Sequence, residues 1–305
     1  IRGGSRRLPL FDVAIAERPG DSPSDWSTFA RPDPAWLMHA APGEGGHAEA
    51  VLVPSRRGRM HFDGISASSS FPFGLLDKIV RTRQPMDTLV YPRTIPLQPS
   101  AIERMLASGS VGARSSRRTG AVGEYTGVRE YRPGDSVRSL AWRRWLHDDS
   151  PVVVERSAPS PRRVQLLLDL RRATEDLRVE DGVDAPALEE KAITLAGSLA
   201  ESGILSGIEV GLRIDGLKLP DLPVQGGRRH LERILGVLGG IDLAETRTPR
   251  RGIVPQPRSG SLVVIHVDRV DTGLGHDEAH HLLPDSLDRL VAGGRPEPNV
   301  RREAG

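Results

Sequence analysis

Apolar and polar positions change their spacing twice along this 305-residue chain. Over residues 1–100 the spacing is two. "LFDVAIAER" and "HAEAVLVPSRRGRMHFDGISASSS" alternate, with Pro and Gly between the runs, the pattern of half-buried strands. "SFPFGLL" sets Pro72 and Gly74 among aromatic residues, so a turn with buried flanks is expected. "MDTLVYPRTIPL" reads as a strand cut off by Pro92 and Pro96. No helical period of useful length occurs, and a small antiparallel sandwich is the expectation.

Residues 101–150 break the alternation. "AIERMLASG" suits one short helix, and "SVGARSSRRTGAVGE" reads as a Ser-, Gly- and Arg-rich mobile linker. From residue 151 the spacing changes again. "PVVVERS" and "RRVQLLLDL" read as strands, the second an unbroken apolar run of the kind buried on both faces of a sheet. "PALEEKAITLAGSLAESG" has helical spacing at Leu188, Ala192, Leu195 and Leu199, with Pro186 near its start and Gly203 closing it. "IEVGLRID" is a strand. "GGRRHLERILGVLGG" carries a helical stripe of Leu231, Ile234, Leu235 and Leu238 and ends at Gly239. "SLVVIHVD" is a further apolar strand, and "DEAHHLLPDSLDRLVAGG" reads as a helix interrupted at Pro284. Strand and helix in alternation predict an α/β class with a parallel, doubly wound sheet. The expected organisation is a β-rich segment over 1–100, a linker and loop over 101–150, and the α/β domain over 151–305.

Charge adds little at the global level and more at the local level. There are 42 basic and 40 acidic side chains, so nothing points to a polyanion partner. Thirty-nine of the basic residues are Arg, which pairs bidentately with carboxylates and stacks on aromatic rings. There is no Cys, which excludes disulfides, thiolate metal sites and Cys nucleophiles. No apolar run approaches the roughly eighteen residues of a membrane span. Residue 1 is Ile rather than Met, so the true start is expected to lie upstream.

In a doubly wound sheet chemistry gathers at the carboxyl ends of the strands. Asp169 closes "VQLLLD" and Asp268 closes "LVVIHVD", and two such carboxylates can bind a divalent metal. A hard cation wants further oxygen ligands, and none follows Asp169 before Thr174. Arg171 or Arg172 can neutralise the carboxylates instead, so a structural Asp–Arg pair is the expectation. "GHDEAHH" offers His276 and His280 at the spacing of a zinc helix, without the Glu that a protease would need after the first His. The Asp-Glu-Ala-His tetrapeptide has no phosphate loop to serve, and neither a Gly-x-Ser-x-Gly elbow nor a dinucleotide fingerprint is present.

The most unusual stretch is "YTGVREYRPGDSVRSLAWR", residues 125–143. Pro133 and Gly134 suit the two central positions of a type II turn. Asp135 or Ser136 can cap a following helix in which Trp142, Trp145 and Leu146 share a face. Upstream, Val128, Glu130 and Arg132 alternate with Arg129 and Tyr131. Nucleic acid would prefer an uncompensated basic groove. Here Glu124, Glu130 and Asp135 interleave with Arg129, Arg132, Arg138 and Arg143, which fits a buried joint better. Trp142 is expected to be buried, and Arg132 or Arg138 to pair with Glu130 or Asp135.

"GEYTGVREYRPGDSVRSLAWRRW" followed by "VVVERSAPSPRRVQLLLDL" resembles the signature of the bacterial domain-of-unknown-function 58 family. The matching residues are Glu124, Gly127, Arg129, Glu130, Tyr131, Arg132, Gly134, Asp135, Arg138, Trp142 and Arg143. Similarity to the family extends over about residues 50–270. The resemblance implies a von Willebrand factor A-like domain after the signature, with two membrane helices ahead of the β-rich segment. It implies a non-enzymatic interaction module without cofactor, accessory to a MoxR-type AAA+ ATPase in the assembly or activation of protein complexes. It further implies an inner-membrane protein with its soluble part in the cytoplasm, or a cytoplasmic protein if the helices are lacking. A-type domains in general bind a metal through Asp-x-Ser-x-Ser. Here Asp169 stands, but Arg171 and Ala173 replace the serines, so Asp169 and Asp268 are expected to be remnants of a metal site. A further strand would be expected after "LDRLVAGG", so the last domain is expected to be incomplete. A divalent-metal-dependent hydrolase and a nucleic-acid binder remain the alternatives.

Overall fold

A computed structural model describes residues 9–18, 20, 23–28, 33–100, 102, 119–133, 135, 137, 140–141, 151–157, 162–179, 184–248, 260–271 and 279–291, with 119–126 and 155–157 as backbone alone. The chain is mixed α/β and rich in strands. It divides into two compact units, Ile1–Thr94 with Glu232–Glu245, and Ile95–Leu231 with Thr246–Gly305.

The first unit is built on one antiparallel sheet of β1 (Leu10–Arg18), β2 (Ala35–Ala40), β3 (Gly58–Ser69) and β4 (Lys78–Val90), in the order β2-β1-β3-β4. A second layer of the expected sandwich is not among the described residues. Val13, Leu37 and Ala40 form one buried cluster, and Met60 and Phe62 pack with Trp26, Leu52 and Val90 in another. β4 starts eight residues before the expected strand. Pro85 lies inside it because the ladder slips there: Phe62 faces Met86 but Gly64 faces Arg83, so Asp63 opposes both Gln84 and Pro85. Such a bulge accepts a residue that has no N–H to donate. The alternation in "HAEAVLVP" does not make a strand. Val51 and Val53 stay exposed, because residues 47–53 find no partner strand. Residues 71–76 are a turn with exposed rather than buried flanks; Phe73, Leu75 and Leu76 are each at least 80% exposed.

The second unit holds a five-stranded sheet of β7 (Arg163–Asp169), β8 (Glu209–Asp215), β9 (Leu222–Gln225), β10 (Ser261–Ile265) and β11 (His280–Leu282), in the order β11-β10-β7-β8-β9. All pairs are parallel except β8 with β9. The unbroken apolar runs of β7 and β10 are buried as their patterns require. Helix α1 (Ala185–Leu205) packs on β7, β8 and β10 through buried Ala192, Leu195, Ala196, Leu199 and Ala200. It runs two residues past the expected stop at Gly203. Gly207, at φ +77°, ends it instead, with Gly207 N–H on the Ile204 carbonyl and Ile208 N–H on the Gly203 carbonyl. Helix α2 (Arg228–Gly239), whose residues from Glu232 onward are counted with the first unit, buries the stripe Leu231, Ile234, Leu235 and Leu238, as its spacing predicts.

Two elements depart from the sequence reading. The segment expected as a helix through His280 is a strand, β11, followed by a one-turn helix α3 (Ser286–Leu290). Pro284 cannot continue a helix started upstream, while the edge of β10 supplies backbone partners to residues 280–282. "PVVVERS" is β6 (Val152–Ser157), but it does not join the parallel sheet. It pairs antiparallel with β5 (Thr119–Glu130) in a separate ribbon. β5 takes in Thr119–Glu124, which composition assigned to the linker.

Candidate functional site

The order of the five-stranded sheet reverses at β7: β8 lies on one side and β10 on the other. The carboxyl ends of β7 and β10 therefore flank the crevice where open α/β sheets carry their chemistry. Asp169 ends β7 and Asp215 ends β8. β10 stops at Ile265, so Asp268 lies three residues past the strand rather than closing it.

Both carboxylates expected from the sequence are neutralised by the turn that follows β7. Arg171 grips Asp169 bidentately, Nε to Oδ1 at 2.8 Å and Nη2 to Oδ2 at 2.9 Å, and its backbone N–H adds a third bond at 3.2 Å. The same Nη2 donates to Asp271 at 2.9 Å, and Nε lies 3.9 Å from Asp215. Arg172 pairs through Nη1 with Asp268, which also accepts the N–H groups of Arg178 and Arg269. Gly216 makes the turn possible. It sits at φ +106°, and a Cβ there would lie 2.1 Å from the Leu170 carbonyl oxygen. Burial pushes Asp169 up, but the bonds from Arg171 and His266 outweigh it and hold the carboxyl well below the usual carboxylate range. Arg171 is raised in turn by its hydrogen bond to Asp169.

A pair of imidazoles, His266 buried and His281 half-buried, extends this cluster. His266 Nδ1 meets Asp169 Oδ2 at 3.2 Å, and His266 Nε2 meets His281 Nδ1 at 2.9 Å with the rings stacked 5.2 Å apart. A proton on Nδ1 of each ring satisfies both bonds. His266 follows β10 rather than lying in it, and it is a core His satisfied from both sides. His280 sits in a strand rather than on the expected helix, so the zinc spacing, which the sequence reading ranks below a solvated helix start, has no helix at His280 to carry it; His276 lies outside the described residues. Among the described residues no group of three or more His, Asp or Glu converges as a metal site would.

The signature stretch forms the β5–β6 ribbon and its turn. Gly127, Val128, Arg129 and Glu130 lie opposite Glu155, Val154, Val153 and Val152. Val128 and Glu130 face solvent, while Arg129 and Tyr131 are half-buried, the alternation expected. Asp135 pairs with Arg129, at 2.7 Å to each of two nitrogens, and not with the side chain of Arg132. Arg138, the other expected partner, lies outside the described residues. Arg132 supplies its backbone N–H to Asp135 Oδ2 at 2.9 Å, and the Asp135 N–H closes the turn on the Arg132 carbonyl at 3.0 Å. These bonds, Arg129 first and the Arg132 N–H next, lower the Asp135 pKa to about 2. Arg129 can reach because residues 129 and 135 are brought side by side by the turn. Where the helix was expected, Val137 lies in a 3-10 turn, with the Leu140 N–H on its carbonyl at 3.3 Å; Leu140 then bridges to Val153, and Ala141 N–H donates to the Val152 carbonyl. Glu124 is on β5, described by its backbone. Gly134, Arg138, Trp142 and Arg143 lie outside the described residues, as do Trp145 and Leu146.

Residues 127–262 match the family described as Protein of unknown function DUF58. The DUF58 match opens at Gly127 on β5 and ends at Leu262 on β10, so it takes in Arg129, Asp135, Asp169, Arg171 and Asp215. Asp268, Asp271, His266 and His281 lie beyond it. No curated protein and no solved structure gives a significant match.

Asp215, Asp271 and the His266–His281 pair were not legible as site residues. "IEVGLRID" ends in Asp as "VQLLLD" does, and that parallel was the available signal for Asp215. Asp271 and His281 reach the cluster through a loop and an edge strand that no periodicity marks.

Proposed function

We propose that the chain is a non-enzymatic protein-interaction module of the von Willebrand factor A type, accessory to a MoxR-type AAA+ ATPase in the assembly or activation of protein complexes. One observation carries the reading. The crevice at the strand-order reversal is filled by the chain's own guanidinium groups: Arg171 bonds Asp169 and Asp271, and Arg172 bonds Asp268. In A-type domains a cation bound through Asp-x-Ser-x-Ser occupies such a place. Here Arg171 takes the position of the first serine and brings the positive charge with it. The Arg side chains remain about a quarter exposed, and Asp271 about a third, so the edge presents a patterned polar surface to a partner. The DUF58 match over residues 127–262 supports the family resemblance from which this reading starts.

The partnership is tested with a MoxR-type ATPase from the same cell. The two are expected to co-elute, and the ATP hydrolysis rate to change on mixing. Separate elution with an unchanged rate overturns the partnership. The Arg171 reading has its own test. Magnesium or manganese is expected to leave the thermal midpoint of the parent in place and to raise that of Arg171→Ser, whose carboxylates are released. A saturable rise for the parent of several degrees would reject it.

A further inference from the structure

The turn between β3 and β4 holds large apolar side chains in water. Phe71 is 56% exposed, Phe73 80%, Leu75 83% and Leu76 86%, and Ile79 and Val80 at the start of β4 are each more than half exposed. The turn is built rather than loose. Gly74 N–H donates to the Ser70 carbonyl at 2.8 Å, and Gly74 takes φ +68°. The Ser69 hydroxyl donates to the Phe11 carbonyl at 2.8 Å and accepts the Phe71 N–H at 3.3 Å. The Phe71 ring packs on Phe11 with centroids 4.7 Å apart. The strands below run in register from Ser69 opposite Lys78 to Gly64 opposite Arg83. Thus Phe71 fixes the tip to the sheet, and Phe73, Leu75 and Leu76 contribute nothing to the fold that holds them. Contiguous exposed apolar groups of this kind mark a surface that another phase or molecule covers.

Charge says which. Immediately behind the tip Lys78, Arg81 and Arg83 are all exposed on β4. Among the described residues the acidic groups near them are Asp77, at the base of the tip, Asp12, exposed beside Phe11, and Asp63, which lies 3.7 Å from Arg83 but 3.1 Å from Arg18. With Arg18 counted, the basic set exceeds these three carboxylates by one. An apolar wedge with a basic collar matches the interface of an anionic bilayer, where acyl chains accept the wedge and headgroup phosphates meet the collar. We propose that residues 71–76 insert into an anionic lipid surface, with Lys78, Arg81 and Arg83 on the lipid phosphates. The contact is peripheral, and it needs no membrane-crossing segment. Among the described residues no helix is long and apolar enough to cross a membrane.

The test is co-sedimentation with phosphatidylcholine vesicles, with and without phosphatidylserine. The full chain is expected to sediment with the anionic vesicles, to leave the neutral ones largely unbound, and to be released as salt screens the collar. Phe73→Ser/Leu75→Ser/Leu76→Ser removes the wedge and is expected to weaken partition at least about tenfold. Lys78→Gln/Arg81→Gln/Arg83→Gln is expected to abolish the preference for phosphatidylserine. Phe73→Trp keeps the wedge apolar and should shift its emission to the blue on anionic vesicles. Absence of sedimentation and of any emission shift overturns the proposal, as does equal partition of parent and triple-Ser variant. A parent that is dimeric without lipid, and made monomeric by the triple-Ser change, would assign the tip to a contact between copies and overturn it too.

Discussion

Asp135 shows how much one carboxylate can organise. It closes a turn through its own N–H, receives the Arg132 N–H, and holds the Arg129 guanidinium with both oxygens. Its pKa in the folded chain is about 2, below the roughly 4 of an unfolded Asp. The stabilisation from that difference is complete above the unfolded value and is lost as pH falls from about 4 to about 2. Asp169 is depressed as well and adds a loss of the same sign. Asp135→Asn is therefore expected to lower the denaturant midpoint near neutral pH and to flatten, without abolishing, the fall in stability between pH 4 and 2. Unfolding of parent and variant across that range checks it; parallel curves would refute it. Both side chains of the pair are partly in water, Arg129 at 30% and Asp135 at 20%, so solvent screens much of the attraction. The presence of an Arg–carboxylate pair in this stretch was legible from the interleaved charges. Its owner was not, because the choice between Arg129 and Arg132 depends on which side of β5 each residue points.

At the scale of elements, the β3–β4 bulge rests on Gly64. A Cβ there would fall 2.1 Å from the Thr82 carbonyl oxygen and 2.9 Å from the Gln84 nitrogen, both backbone atoms that cannot swing aside. Gly64→Ala is expected to cost about 1–3 kcal/mol in denaturant unfolding, the usual range for overpacking. Gly127, at the head of the signature, has open space around the same position. Gly127→Ala should then stay within about 0.5 kcal/mol of the parent, the range of neutral surface changes. A cost at Gly127 equal to that at Gly64 would contradict this account. β1, β7, α1 and α2 were legible because each buries one face or its whole length, and burial imposes a period on the sequence. β2, the first half of β4 and β11 were not. Each lies at an edge of its sheet: β2 buries Ala35, Leu37 and Ala40, but its outward Trp36 and Met38 are apolar too and hide the alternation, while the first half of β4 is exposed throughout and β11 is half-buried throughout. The turn at 71–76 misled for the opposite reason: its apolar residues obey no inward rule because they remain outside.

For the molecule as a whole, Glu189 and Arg247 join distant parts of the second unit. Glu189 on α1 is fully buried, and Arg247, in the segment after α2, is 5% exposed; they meet at 2.7 Å. Thr174, in the turn that follows the Arg171 cluster, donates its hydroxyl to the other Glu189 oxygen at 2.7 Å. Burial raises the Glu189 pKa, and the bonds from Thr174 and Arg247 only partly oppose it. Arg247→Met leaves that carboxylate buried without its cation and is expected to cost about 3–5 kcal/mol. Glu189→Gln in the same chain should restore most of the loss. Denaturant unfolding of the single and double variants decides it, and a double variant as unstable as the single would show that packing, not charge, holds the segment. The Arg171 cluster, a short reach away through Thr174, has a consequence of another kind. A bound ion comes and goes with its concentration, so a site that holds one reports on the supply. A guanidinium attached two residues from its carboxylate is present at full occupancy in every environment the folded chain meets. If Arg171 stands in for the ion as proposed, this crevice carries no information about ambient metal, and chelation cannot erase what it displays.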